Sequence, residues 1–183
     1  MPVTVDILEG PSVEPVTLEM VKAHCRLYGD LTDDDELLGV YLAGAREYLE
    51  GITARAIVNQ TVKETREVPQ DGVMRLYRAP VREILSVVVD GVTLSEDSYS
   101  LRPNRIVLKS PSAGSQAVVT YTAGYGDSAD DVPAYVKHAI LLMVGQAYER
   151  REPILAGTIV AALPFSLQAL IARMSWGGEI PTP

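Results

Sequence analysis

The spacing of apolar residues changes twice along this chain, and that change limits the folds open to it. Leu38, Tyr41, Leu42, Ala45, Tyr48 and Leu49 recur at intervals of three and four, which is one helical stripe. From Ile57 the pattern reads as strand-like, with Val58, Val62 and Val68 expected to alternate with Gln60, Glu64 and Arg66. Val136, Ile140, Met143, Val144 and Ala147 then restore the helical interval. The expected fold is α+β: N-terminal helices over 15–52, a central and mostly antiparallel β region over 56–123, and C-terminal helices over 131–175. Together they predict one mainly helical domain over 1–175, with 176–183 as a tail.

Local signals place the elements. Thr17 caps a first helix, Glu19 suits its positive end, and Gly29-Asp30 ends it. Leu18, Val21 and Cys25 share its apolar face. Thr32 or Asp33 caps the second helix, and Gly51 is its expected stop. Asp90-Gly91 lies between the β-branched runs Ser86–Val89 and Val92–Leu94, a hairpin signal. Short strands are predicted at Tyr99–Leu101, Ile106–Lys109 and Ala117–Thr122, and their direct links imply antiparallel pairing. Pro133 opens a third helix that Leu141 and Leu142 make apolar on more than one side. Ser166 to Ser175 forms the last helix, with Leu167, Leu170, Ile171 and Met174 in a stripe.

Charge narrows the function classes. The 183 residues carry a formal net charge of −8, and residues 1–55 hold 11 acidic against 4 basic side chains. That balance argues against wrapping nucleic acid through a general basic surface. Arg75, Arg78 and Arg82 near Tyr77 are too few for such a surface and read as a solvated strand face. One cysteine excludes an intramolecular disulfide framework. The N-terminus lacks a basic region followed by an apolar one, and Ala139–Gly145 is too short to span a bilayer. The expectation is a soluble protein of a reducing cytoplasm.

No catalytic constellation stands out. Asp33, Asp34, Asp35 and Glu36 are adjacent on a helix and point in different directions, so they read as N-terminal helix charge rather than as a metal cluster. His24 and Cys25 face about 100° apart on a helix, which does not make a nucleophile pair. Two histidines and one cysteine leave little for a zinc site or a triad. Gly124-Tyr125-Gly126-Asp127 lacks the spacing of a phosphate loop and reads as a turn. The uncharged segment 154–163 needs burial, either in its own chain or against another subunit.

The order of several motifs resembles the head–tail connector (adaptor) proteins of tailed bacteriophages. The resemblance runs from Pro15-Val16-Thr17-Leu18-Glu19 through Asp33-Asp34-Asp35-Glu36-Leu37-Leu38 and Ala45-Arg46-Glu47-Tyr48-Leu49-Glu50. It continues in Ile57-Val58-Asn59-Gln60-Thr61, Val119-Thr120-Tyr121-Thr122-Ala123-Gly124-Tyr125-Gly126, Val132-Pro133, Tyr148-Glu149-Arg150-Arg151-Glu152 and Leu163-Pro164-Phe165. Thr53-Ala54-Arg55 departs from a Thr-Gly-Arg turn frequent in the family. The resemblance implies a virion protein that forms a ring, commonly of twelve copies, beneath the portal. It implies no catalysis and no cofactor. Its partners would be further copies of the chain, the portal, a stopper or tail-completion protein, and DNA passing through without specific binding.

On that basis the expected subunit and portal contacts are Tyr148, Arg150, Arg151, Ile154, Leu155, Ile159, Val160, Phe165 and Trp176. The expected channel-facing acids are Asp33, Asp34, Asp35, Glu36 and Glu47. The alternative readings are another neck or tail-completion protein, or a small hydrolase.

Overall fold

The computed structural model describes residues 3–28, 32–150 and 165–175. The chain forms two compact units, one of Met1–Ser12 and Ala54–Asp127, the other of Val13–Thr53 and Ser128–Pro183. The first unit is β and the second is helical.

The β unit holds eight strands: β1 (Thr4–Glu9), β2 (Gln60–Glu67), β3 (Val73–Arg75), β4 (Val81–Val89), β5 (Val92–Thr93), β6 (Tyr99–Arg102), β7 (Arg105–Leu108) and β8 (Gln116–Ala123). One sheet runs β1-β2-β8-β4-β5 and the other β3-β7-β6. Every ladder is antiparallel. Val62, Val87, Val119, Tyr121, Met74 and Ile106 meet in a core drawn from both sheets. At the predicted hairpin, Asp90 (φ 48°) and Gly91 (φ 80°) both take the left-handed geometry that a two-residue turn demands.

Three expectations change here. Gln60, Val62 and Glu64 share a parity, so they lie on one face, and that face is buried. Strands β1 and β3 are not among the predicted strands, although Val3, Val5 and Ile7 alternate with Thr4 and Asp6 at β1, and β3 is only three residues long. With them the strands build two sheets and a core of their own, so the chain is α+β but not mainly helical.

The helical unit contains α1 (Leu18–His24), α2 (Asp35–Thr53), α3 (Ala134–Glu149) and α4 (Phe165–Ser175). The Thr17 hydroxyl accepts the Met20 N–H at 3.3 Å, as its capping role predicts. Helix α1 ends early, because Arg26 turns left-handed at φ 58°. Helix α2 passes through Gly51 and ends at Thr53, whose hydroxyl donates to the Leu49 carbonyl at 2.6 Å. The left-handed position falls to Ala54, at φ 53°, so Gly51 is not a stop. Leu38, Leu42, Ala45 and Leu49 of α2 are buried, with Val136, Ile140 and Val144 of α3 and Leu167 and Met174 of α4. Tyr48, placed in the stripe by its spacing, is instead exposed.

Candidate assembly surfaces

Each unit is tied by buried charge. In the helical unit Arg46 is 7% exposed and Glu50 3%. The Arg46 guanidinium donates to both oxygens of Glu14, at 2.9 and 3.1 Å, and to Glu50 Oε2 at 3.2 Å. This fork pins the segment that leads into α1 onto the side of α2. Burial pulls the Arg46 pKa down. The Glu14 hydrogen bond and the charges of Glu14, Glu50 and Glu47 outweigh it and raise the pKa above its usual value.

In the β unit Glu64 is fully buried. Its Oε2 accepts the Tyr121 hydroxyl at 3.1 Å and the Tyr77 N–H at 2.8 Å, and its Oε1 accepts Arg66 Nη1 at 3.0 Å. Tyr121 Oη in turn accepts the Arg78 N–H at 3.0 Å. Burial, and then the Glu64 charge, push the Tyr121 phenol well above its ordinary pKa. This network holds the loop 76–80 against β2 and β8. Of the three arginines read as a strand face, Arg75 and Arg82 are exposed. Arg78 instead donates to the Arg55 carbonyl at 2.8 Å.

The predicted acidic cluster is divided. Asp34 accepts the Tyr148 hydroxyl at 2.5 Å, and Asp35 pairs with Lys22 at 2.5 Å. Those two carboxylates brace α2 against α3 and α1. Asp33, Glu36 and Glu47 stay exposed. Among the described residues, no group of three acidic, histidine or cysteine side chains is arranged to hold a metal.

Of the predicted contact residues, Tyr148 and Arg150 line one groove of the helical unit, about 310 Å³, with His24, Cys25, Glu149 and Leu167. Burial, and then the Glu149 charge, raise the Cys25 thiol pKa, which opposes formation of a thiolate nucleophile. Cys25 is half-buried at this groove rather than sealed in the core. Arg151, Ile154, Leu155, Ile159, Val160 and Trp176 lie outside the described residues, as does the whole of 154–163. Phe165 opens α4, and its side chain is outside the described ones.

Sequence reasoning missed Arg46 and Glu64. The i, i+4 pair Arg46–Glu50 on an amphipathic helix, and the even parity of residues 58–68, were the signals available for them.

Gly124 explains part of the Thr-Ala-Gly-Tyr-Gly run. A Cβ there would stand 2.5 Å from the Asn59 nitrogen, so only glycine admits this contact. The run therefore serves as a fold device between β8 and the start of β2.

Residues 15–97 match the family described as "Phage gp6-like head-tail connector protein". That segment, a little under half of the chain, is similar to the head–tail connector family. The chain is also similar to a protein in the neck of an empty gene transfer agent particle computed with C6 symmetry. That likeness has 26% identity, a TM-score of 0.75, and covers 93% of this chain and 94% of the other. A chain of the native gene transfer agent virion matches at 25% identity, with the same TM-score and coverage. A third, from a native neck computed with C12 symmetry, shares the fold at 22% identity and a TM-score of 0.70. A search of curated proteins finds no match.

Proposed function

We propose that this chain is a structural virion protein of the neck, a head–tail connector set between head and tail as one subunit of a ring. The observation that carries the reading is the likeness to the C6-symmetric neck, which spans nearly the full length of both chains. The connector match over residues 15–97 supports it independently. A closed ring needs two different faces per subunit, one meeting the other on the next copy. A ring of twelve copies is compatible with sixfold symmetry.

The ring extends the DNA channel and offers a docking surface to a portal on one side and a stopper or tail protein on the other. The reading assigns no catalysis and no cofactor. It is supported by the protonated state favoured for Cys25 and by the pairing of Asp34 and Asp35 within the chain. Of the predicted channel acids, Asp33, Glu36 and Glu47 are exposed, and the reading assigns Asp33 and Glu36, near the start of α2, to the channel wall. Carboxylates there repel DNA and prevent the salt-sensitive grip that lysines and arginines give. Tyr148 and Arg150 remain the proposed contacts on the described part of the chain.

Electron microscopy of purified particles tests the reading. The expected map holds this chain as a ring at the head–tail junction. A map that fills the junction with other proteins, and finds this chain elsewhere, overturns it.

A further inference from the structure

The outward face of α2 is exposed among the described residues. Val40, Tyr48 and Ile52 are 63, 47 and 44% exposed, and with Gly44 they form a single row at intervals of four. Gly39 and Gly51 flank that row. Glycine within a helix is destabilising relative to alanine, so three in one 19-residue helix call for a reason. Packing within the chain supplies none, since a Cβ at Gly39, Gly44 or Gly51 would meet nothing within 4 Å. The exposed charges on this helix, Glu36 and Glu47, are both acidic.

Helix α4 offers the complementary face. Its exposed positions include Ala169, Ala172 and Arg173, and Arg173 is its only charged residue. Small side chains leave hollows for Val40, Tyr48 and Ile52, and Arg173, whose guanidinium stacks over the Tyr135 ring at 4.4 Å, carries the opposite charge to the exposed Glu47, which lies 3.6 Å from Arg46 on its own helix. The two faces differ, as a rotationally closed ring requires.

We infer that the Val40–Gly44–Tyr48–Ile52 face of α2 is the seam between subunits, and that its occupant is α4 of a second copy of this chain. The glycines let the neighbouring helix approach the α2 backbone, and Glu47 meets the neighbour's Arg173. This inference rests on the ring reading proposed above.

The test uses the full-length protein mixed with portal-bearing, tailless capsids, with ring occupancy at the portal read by electron microscopy. Gly44→Leu and Tyr48→Glu lie on the open face, so circular dichroism is expected to show both folded as wild type. Each is expected to lower ring occupancy at least tenfold. Glu47→Arg and Arg173→Glu are each expected to do the same, and the double exchange to restore the ring. Variants of Gly44 and Tyr48 that assemble like wild type overturn the seam. Single charge variants that fail, with a double exchange that fails too, overturn α4 as the occupant and leave the portal as its competitor. Wild-type protein that never reaches the portal overturns the neck reading itself, a result distinct from either of these.

Discussion

The guanidinium of Arg46 reaches across 32 residues of sequence to fork onto Glu14, with Nε 2.9 Å from Oε2 and Nη2 3.1 Å from Oε1. Such planar pairing suits arginine and not lysine. Removing one partner of a buried ion pair costs far more than the pair itself contributes, because a desolvated charge is left behind. Arg46→Ala is therefore expected to destabilise the helical unit by about 3 kcal/mol, leaving Glu50 without this cation. Arg46→Lys keeps the charge but loses the fork, and should fall between. Urea denaturation followed by circular dichroism ranks the three proteins. Equal midpoints would show that the fork contributes nothing.

The buried network of the β unit predicts an alkaline signature. An unfolded tyrosine titrates near pH 10, whereas folded Tyr121 keeps its proton to higher pH. Above about pH 10 the unfolded chain has lost this proton and the folded chain still holds it. Folding then takes up a proton, so stability falls as pH rises. Below that pH the contribution of Tyr121 is constant. Tyr121→Phe removes the dependence and also strands the Arg78 N–H and one Glu64 acceptor, a loss of about 1–3 kcal/mol at neutral pH. The variant should start lower and decline less steeply between pH 9 and 11. Parallel declines in denaturant midpoint would contradict the assignment.

Gly124 gives the sharpest steric prediction. Its φ is 147° and the Asn59 backbone occupies the place a side chain would take. Gly124→Ala should destabilise the β unit by about 2–4 kcal/mol, from strain and overpacking together. Gly91→Ala is the informative control, because it is equally left-handed, at φ 80°, but a Cβ there meets nothing within 4 Å. Its cost should be the smaller, near 1 kcal/mol, set by the backbone alone. Thermal unfolding of the two variants separates clash from conformation.

Legibility in the sequence followed the range of the interactions. The Thr17 cap, the Asp90-Gly91 turn and the stripe of α2 are local, and each appeared where its residues predicted. Strand β1 carries a short alternation of Val3, Val5 and Ile7 with Thr4 and Asp6, but five of its six residues are exposed and its partner β2 lies fifty to sixty residues away, so its place in the sheet is not a local property. Tyr48 satisfied the helical interval but sits on the outer face, since spacing fixes a stripe and not its width. Asp34 and Asp35 were grouped with their neighbours by adjacency, yet they reach Tyr148 and Lys22 on other helices. Charge patterning along one helix carries no record of those partners. The family resemblance, by contrast, was visible because the order of short motifs survives when no single motif is diagnostic.

The Tyr148–Asp34 contact gives the last prediction. A phenol donating to a carboxylate at 2.5 Å is a charge-assisted bond, and it closes the start of α2 onto the end of α3. Tyr148→Phe keeps the ring and removes only the donor. The expected loss is about 1–2 kcal/mol, because Asp34 is half-buried and retains other interactions. The effect should be local. Amide hydrogen exchange is expected to quicken over residues 35–39 and to change little in α4 and the β unit. Tyr148 also lines the groove proposed as an assembly contact, so the same variant divides two roles. If the hydroxyl only braces α2, ring occupancy on portal-bearing capsids should track the measured loss of stability. A fall in occupancy well beyond that loss would assign Tyr148 a direct contact with a partner.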